Sequence, residues 1–270
     1  MFPARRRLAI VEQIRAAQVV RADDLARQFE VSVETVRRDL KSLEMQGLLE
    51  RVYGGAAKLR VGVAEASFDQ RRLLGAGEKR AIGAAAAARV GADETILIDV
   101  GTTALEVARA LPPTWQGRVL TNSVLVAVEL AGRTGIELLL SGGRVRSGDL
   151  ACSGPHARSL FDDFFVAKAF LGSGGVHPTG GLTDYYSDEA ALRRAALARV
   201  GQSFVLADSS KLGQIAPCRV CDLDRIDSIV TGADADADMV AALRDRGPEV
   251  IVAPDGGRLP AAAVLGKSVR

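Results

Sequence analysis

The chain has 270 residues, 48% of them hydrophobic, enough for packed cores and against disorder as the default state. Arg, Asp or Gly interrupts every apolar run before it reaches the length of a membrane span, and MFPARRRLAI lacks the long apolar region of a signal peptide, so a cytoplasmic location is expected. The formal charge of +2 hides an asymmetry: residues 1–60 hold 12 Lys and Arg against 8 Asp and Glu, a basic balance that suggests a polyanion partner for this segment only.

Residues 7–17 carry Leu8, Val11 and Ile14 at helical spacing. A second helix, ADDLARQF, starts with Asp23 and Asp24, where acidic side chains suit the helix dipole. Glu30 and Val31 make a tight connection, and Ser32 is placed to cap a third helix running to about Met45. On this third helix Val33, Val36, Leu40 and Leu43 share one sector and face the other helices. The opposite sector presents Glu34, Thr35, Arg38 and Lys41, with Arg37 on its flank, as a recognition helix does toward the major groove. An alternative leaves Arg37 and Arg38 as a solvated face paired internally with Asp39. Gly47 stops the helix, Leu48 to Tyr53 reads as a strand, and Gly54-Gly55 permits a tight hairpin. The resulting wing carries Arg51 and Lys58 toward phosphates.

The run LARQFEVSVETVRRDLKSLEMQGLLERVYGGA, Leu25 to Ala56, closely resembles the N-terminal domain of DeoR-type bacterial transcriptional regulators. The resemblance implies a helix-turn-helix over residues 20–39, with Ser32, Glu34, Thr35, Arg37 and Arg38 as DNA-contacting positions and double-stranded operator DNA as the partner.

Residues 59–77 read as a linker, and 78–90 as a helix by propensity. Apolar, strand-like runs then recur at 95–100, 118–120, 136–140, 168–171, 203–207, 228–230 and 250–253, with helices at 104–111, 124–131, 188–200 and 237–246. This alternation predicts an α/β unit with a largely parallel, Rossmann-like sheet, whose ligands sit at the carboxyl ends of strands. Those ends carry Asp99, Gly101, Thr102 and Thr103, then Thr121, Asn122 and Ser123, then Gly142 and Gly143, Gly172, and finally Asp208 and Lys211. Backbone N–H groups and hydroxyls at a helix start are the ingredients of a phosphate cradle, although each turn taken singly is also explained as a cap. The acidic run TGADADAD reads as the capped start of a helix.

Cys218 and Cys221 fall in a strand-like run, while Cys152, His156 and His177 are dispersed, so ordinary reduced thiols, no metal site and no cofactor are expected.

The segments IDVGTT, TNS, SGG, FLGSGG, GLTD and LADSSKLG extend the resemblance to the DeoR-family sensor domain, which is similar in fold to ribose-5-phosphate isomerase. It implies a phosphorylated sugar held by Gly101, Thr102, Thr103, the Asn122 region and Lys211. One departure from the resemblance is visible: many relatives carry a Lys shortly after the Glu-Ala pair, whereas Glu189-Ala190 is followed here by Ala191-Leu192-Arg193-Arg194.

The expected organisation is a winged helix-turn-helix at 1–58, a linker at 59–77, an effector-binding and oligomerisation domain at 78–255 and a loosely ordered tail at 256–270. The expected function is a homo-oligomeric repressor of carbohydrate metabolism. The competing reading is a sugar-phosphate isomerase fused to a DNA-binding domain; such chemistry needs a carboxylate to move the proton, and the resemblance to the isomerases implies an acidic cluster after the strand KAFLGSGG, where this chain has Gly, Ser and Gly. A constitutive architectural DNA binder is the third.

Overall fold

The computed structural model describes residues 6–7, 9–11, 13–14, 19–45, 49–52, 54–57 and 65–255. By its internal contacts the chain falls into two units, residues 1–65 with 73–75 and residues 66–72 with 76–270. No helix among the described residues is long and apolar enough to cross a membrane.

In the first unit residues 6, 7, 9–11, 13 and 14 are helical, followed by α1 (Ala22–Gln28) and α2 (Val33–Met45). Ile10, Ile14, Leu25, Val36, Leu40 and Leu43 are each at most 2% exposed and form one core. Val33, expected in that core, is only half-buried because it opens the helix at the edge of the contact. Between the helices the chain turns through Glu30 at φ +53°, a left-handed position, and Val31 N–H closes the turn on the Ala26 carbonyl at 3.1 Å. Ser32 caps α2 as expected: its Oγ accepts the Thr35 N–H at 3.1 Å.

The wing has a strand that the sequence does not announce. β1 (Val19–Arg21) pairs antiparallel with β3 (Gly55–Ala57), which pairs with β2 (Glu50–Val52). A three-residue run is too short for alternation to show. A Cβ on Gly55 would lie 2.0 Å from the Val20 carbonyl oxygen, so only glycine lets β1 close on the hairpin. The expectations for Gly47, Leu48, Tyr53, Lys58 and the tail at 256–270 lie outside the described residues.

In the second unit the stretch expected as linker contains a helix, α3 (Phe68–Leu73), and α4 (Ala76–Ala87) starts before residue 78. Phe68 is buried against the core and fixes α3, but a single apolar residue in FDQRRL gives no readable period.

All seven apolar runs enter one sheet: β4 (Thr95–Ile98), β5 (Gly117–Thr121), β6 (Ile136–Leu140), β9 (Val166–Leu171), β12 (Val200–Leu206), β14 (Ser228–Thr231) and β15 (Glu249–Val252). The order is β15-β14-β12-β9-β4-β5-β6, and every pairing is parallel. Helices α5 (Thr102–Ala110), α6 (Val124–Leu130), α8 (Ser187–Leu197) and α9 (Ala237–Arg244) match the expected stretches. The α9 cap is as read, with Asp236 accepting the Met239 N–H at 2.9 Å.

Strand alternation assigns the two faces. Ile96, Ile98, Val119, Phe170 and Phe204 pack with α4 and α5, whereas Leu97, Leu120, Ala169 and Leu171 pack with α7 (Pro155–Asp163) and α8. Short strands decorate the carboxyl edge: β7 (Arg144–Val145) pairs with β8 (Cys152–Ser153), and β10 (Gly175–His177), β11 (Gly181–Asp184) and β13 (Cys218–Cys221) form a small antiparallel sheet. The sheet winds from β4 toward β5 and β6 on one side, then resumes at β9 on the other. The topological switch therefore lies between β4 and β9, the position at which open parallel sheets place a ligand crevice beyond the carboxyl ends of their strands.

Candidate functional site

Two places collect the residues singled out by the sequence. On α2, Glu34, Arg37, Arg38 and Lys41 are exposed and Thr35 is half-buried. Ser32 and Thr35 share a 2.8 Å hydroxyl contact at the cap, so both are already ordered at the helix start. Arg37 lies 3.7 Å from Glu34, an exposed pair of small energetic weight, while Arg38 and Lys41 show no ion pair among the described residues. Arg51 is tied back to the helix: its N–H donates to Glu44 at 3.2 Å and its guanidinium lies 3.8 Å from the same carboxylate, which links β2 to α2.

Asp39 corrects the reading that pairs it with Arg37 and Arg38. It is buried, and its two oxygens take Arg6 Nε at 2.6 Å and Arg7 Nε at 2.8 Å. The partners lie more than thirty positions away, so local sequence gives no sign of them. The effect is to lock α2 against the N-terminal helix and to leave Arg38 and Lys41 outward.

At the crevice, Gly101 adopts φ +133° ahead of α5, and no side chain caps that helix. A Cβ on Gly101 would meet nothing within 4 Å, so the space before the helix is open. The N–H groups at the start of α5 thus face the crevice with the hydroxyl-bearing Thr102 and Thr103 among them. Thr121 accepts the Ser123 N–H at 3.0 Å, and Ser123 Oγ caps α6 by accepting the Val126 N–H at 3.2 Å. Gly142 and Gly143, both at positive φ, form the turn after β6.

Asn122 is different from its neighbours. It is 1% exposed, yet neither its amide nitrogen nor its amide oxygen has a hydrogen-bond partner among the described residues. Pairing of Ile98 with Thr121 sets Asn122 beside Asp99, and alternation from Leu120 turns its side chain to the face that holds Asp99 and Arg193. A buried amide left without partners is costly unless something else fills the position.

Several expected effector residues also bond within the protein. Asp99 accepts the Gly172 N–H at 3.0 Å and Arg193 Nε at 2.6 Å. Gly172 is demanded by packing, since a Cβ there would lie 2.7 Å from the Val100 carbonyl oxygen. Asp208 accepts the Ser210 N–H at 3.1 Å and lies 3.5 Å from Lys79 Nζ. Lys211 sits with its ammonium 5.5 Å over the Tyr185 ring.

Beneath them lies a buried ionic cluster that the sequence does not reveal. Arg193, 3% exposed, pairs with Asp99, Asp184 and Glu189. Arg146 pairs with Glu189 and Asp149 and stacks 3.5 Å over the Tyr186 ring. Burial pushes the Glu189 carboxyl up to about 7; Arg193 and Arg146 oppose the shift, and the nearby Asp184 and Asp99 add to it. The departure noted at Arg193 is thus a core feature: the guanidinium fork reaches three carboxylates at once. Among the described residues no group of three or more His, Cys, Asp or Glu is placed to hold a metal ion.

Comparison with known proteins gives two family matches, the DeoR-like helix-turn-helix domain over residues 6–60 and the DeoR C-terminal sensor domain over residues 75–233. The HTH-type transcriptional regulator YulB of Bacillus subtilis is 32% identical, over 94% of this chain and 98% of that protein. The glycerol-3-phosphate regulon repressor of Escherichia coli is 29% identical, over 91% of this chain and 97% of that protein. Among solved structures, ribose 5-phosphate isomerase A from Methanocaldococcus jannaschii overlaps at 17% identity and a TM-score of 0.36, spanning 49% of this chain and 52% of the isomerase.

Proposed function

Because the chain belongs to the DeoR family of HTH-type transcriptional regulators, we propose that it represses carbohydrate-metabolism genes and that a phosphorylated sugar in the β4/β9 crevice sets its operator affinity. The observation that carries the effector half is Asn122, a buried amide without partners among the described residues, at the end of the strand that pairs with the one leading into α5. In this reading the N–H groups of Thr102 and Thr103 and their hydroxyls hold a phosphate, and Asn122 exchanges hydrogen bonds with a sugar hydroxyl. Lys211 supplies the cation, while Asp99 and Asp208 shape the floor through Arg193 and Lys79. A relative named for the glycerol-3-phosphate regulon fits a small phosphorylated polyol as the ligand class.

Residues 1–58 act as the DNA reader, with Arg38 and Lys41 presented to the groove and Arg51 to the backbone. Residues 78–255 carry the effector site and the homo-oligomer contacts that a two-half-site operator requires, in the cytoplasm where such effectors are found. A hundredfold change in operator affinity needs about 2.7 kcal/mol of coupling. The test is binding to DNA from the protein's own promoter region, at fixed salt, against a panel of phosphorylated and unphosphorylated sugars. One phosphorylated member is expected to shift the affinity, with Thr102→Ala removing the shift but not the binding of DNA. A panel that leaves affinity unchanged throughout overturns the effector reading.

A further inference from the structure

Two buried ionic paths leave the crevice and end on the same residue. The first begins at Asp99, passes to Arg193 at 2.6 Å, and continues to Glu189 Oε2 at 3.4 Å. The other Glu189 oxygen is bonded by Arg146, which also holds Asp149, and Asp149 Oδ2 lies 3.8 Å from Arg71 Nη2. The second begins at Asp208, 3.5 Å from Lys79 Nζ, and Lys79 donates to the Arg71 carbonyl. Except for Arg71 and Arg146, every charged side chain on these paths is at most 7% exposed.

Arg71 belongs to α3, the first described helix after the N-terminal unit's residue 65. We propose that α3 is the output element of the crevice: Asp99 and Asp208 hold Arg71 through these two paths, and a change at the crevice floor alters how firmly α3 is held. The proposal rests on the crevice being the effector site. Its physical basis is the low-dielectric setting, in which shifting one carboxylate changes the interaction of every paired charge along the chain. Arg146 is the positioning residue, because its guanidinium joins the Glu189 side to the Asp149 side and the Tyr186 ring fixes its plane.

Hydrogen exchange of the full-length protein, read on peptides covering residues 66–73, tests this without any ligand. Asp99→Asn is expected to speed exchange there by about tenfold, and to add nothing in an Arg146→Met background. Arg146→Lys, which keeps a cation at the joint, should retain the response to Asp99→Asn. If Asp99→Asn fails to fold by circular dichroism, the neutral, same-shaped Glu189→Gln takes its place with the same expectation, measured well above pH 7, where the Glu189 carboxyl is ionised. An equal effect in both backgrounds, or none in either with the fold intact, overturns the proposal. Ribose 5-phosphate and inorganic phosphate serve as probes in a parallel arm. A response to Asp99→Asn with none to either probe, and no protection of residues 100–104, upholds the ionic path and counts against the effector reading instead.

Discussion

Replacing Asn122 by Leu should raise the stability of the second unit while destroying its response to a sugar phosphate. Leucine has the same branching and heavy-atom count as asparagine, so Asn122→Leu replaces the polar atoms by methyl groups, at the cost of a larger side-chain volume. Asn122 is 1% exposed, and its nitrogen and oxygen both lack partners among the described residues. Each such group costs roughly 1–3 kcal/mol, and part of the gain is offset by the polar surroundings at Asp99, which leaves a net stabilisation on the order of 2 kcal/mol. In a unit of this size that corresponds to a melting temperature higher by roughly 4–8 °C. Trp115, the single tryptophan, is buried in the core of the second unit, so its fluorescence reports that transition alone. The melting curve and the sugar-phosphate titration of DNA binding would be run on the same preparation. A lower melting temperature for Asn122→Leu would refute the reasoning, since it would mean that the ligand-free protein already satisfies the amide.

Three further outcomes are expected. Asp39→Ala leaves the buried Arg6 without its carboxylate and should cost the N-terminal unit about 3–5 kcal/mol, read as loss of helical circular dichroism from that unit with the Trp115 transition unchanged. Arg38→Ala should weaken binding to cognate DNA by about 1–3 kcal/mol and relax one base-pair preference, whereas Arg51→Ala weakens cognate and random DNA alike; equal losses for Arg38→Ala would remove it from the base-reading set. Burial raises the Glu189 carboxyl to about 7, against Arg193 and Arg146 and with Asp184 and Asp99, so the folded state binds its proton more tightly than the unfolded chain. The stabilisation is complete below the ordinary carboxylate value near 4.5 and is lost as pH rises through 7. Glu189→Gln should flatten that decline in the Trp115 transition, and identical pH slopes for the two proteins would contradict it.

The five inner sheet strands were legible because each carries an apolar run buried on both faces, as Ile96, Leu97 and Ile98 illustrate, while the partly buried edge strands β6 and β15 were legible from apolar composition alone. The recognition helix was legible for a different reason: Val36, Leu40 and Leu43 repeat at helical spacing beside a good cap at Ser32. Elements of two or three residues, such as β7 and β8, carry too little sequence for any period, and α7 is hidden by its polar composition. The ionic cluster was illegible in principle, since Arg193 and Asp99 stand 94 positions apart and are joined only by the fold. The same limit hides from the sequence that Asp99 and Asp208, read there as ligand contacts, are also held by Arg193 and Lys79.

The sheet order also sets a timetable for synthesis. β4 ends at residue 98, but its inner neighbour β9 begins only at residue 166, and β12, β14 and β15 follow later still. At about 5–20 residues per second, a ribosome spends several seconds between the two strands. The N-terminal core and wing close their contacts within the first 57 residues, so they can finish folding in that interval. A newly made chain can therefore complete its DNA-binding domain before the two central strands meet, so a ligand at their carboxyl ends has no site until translation has passed the far side of the sheet.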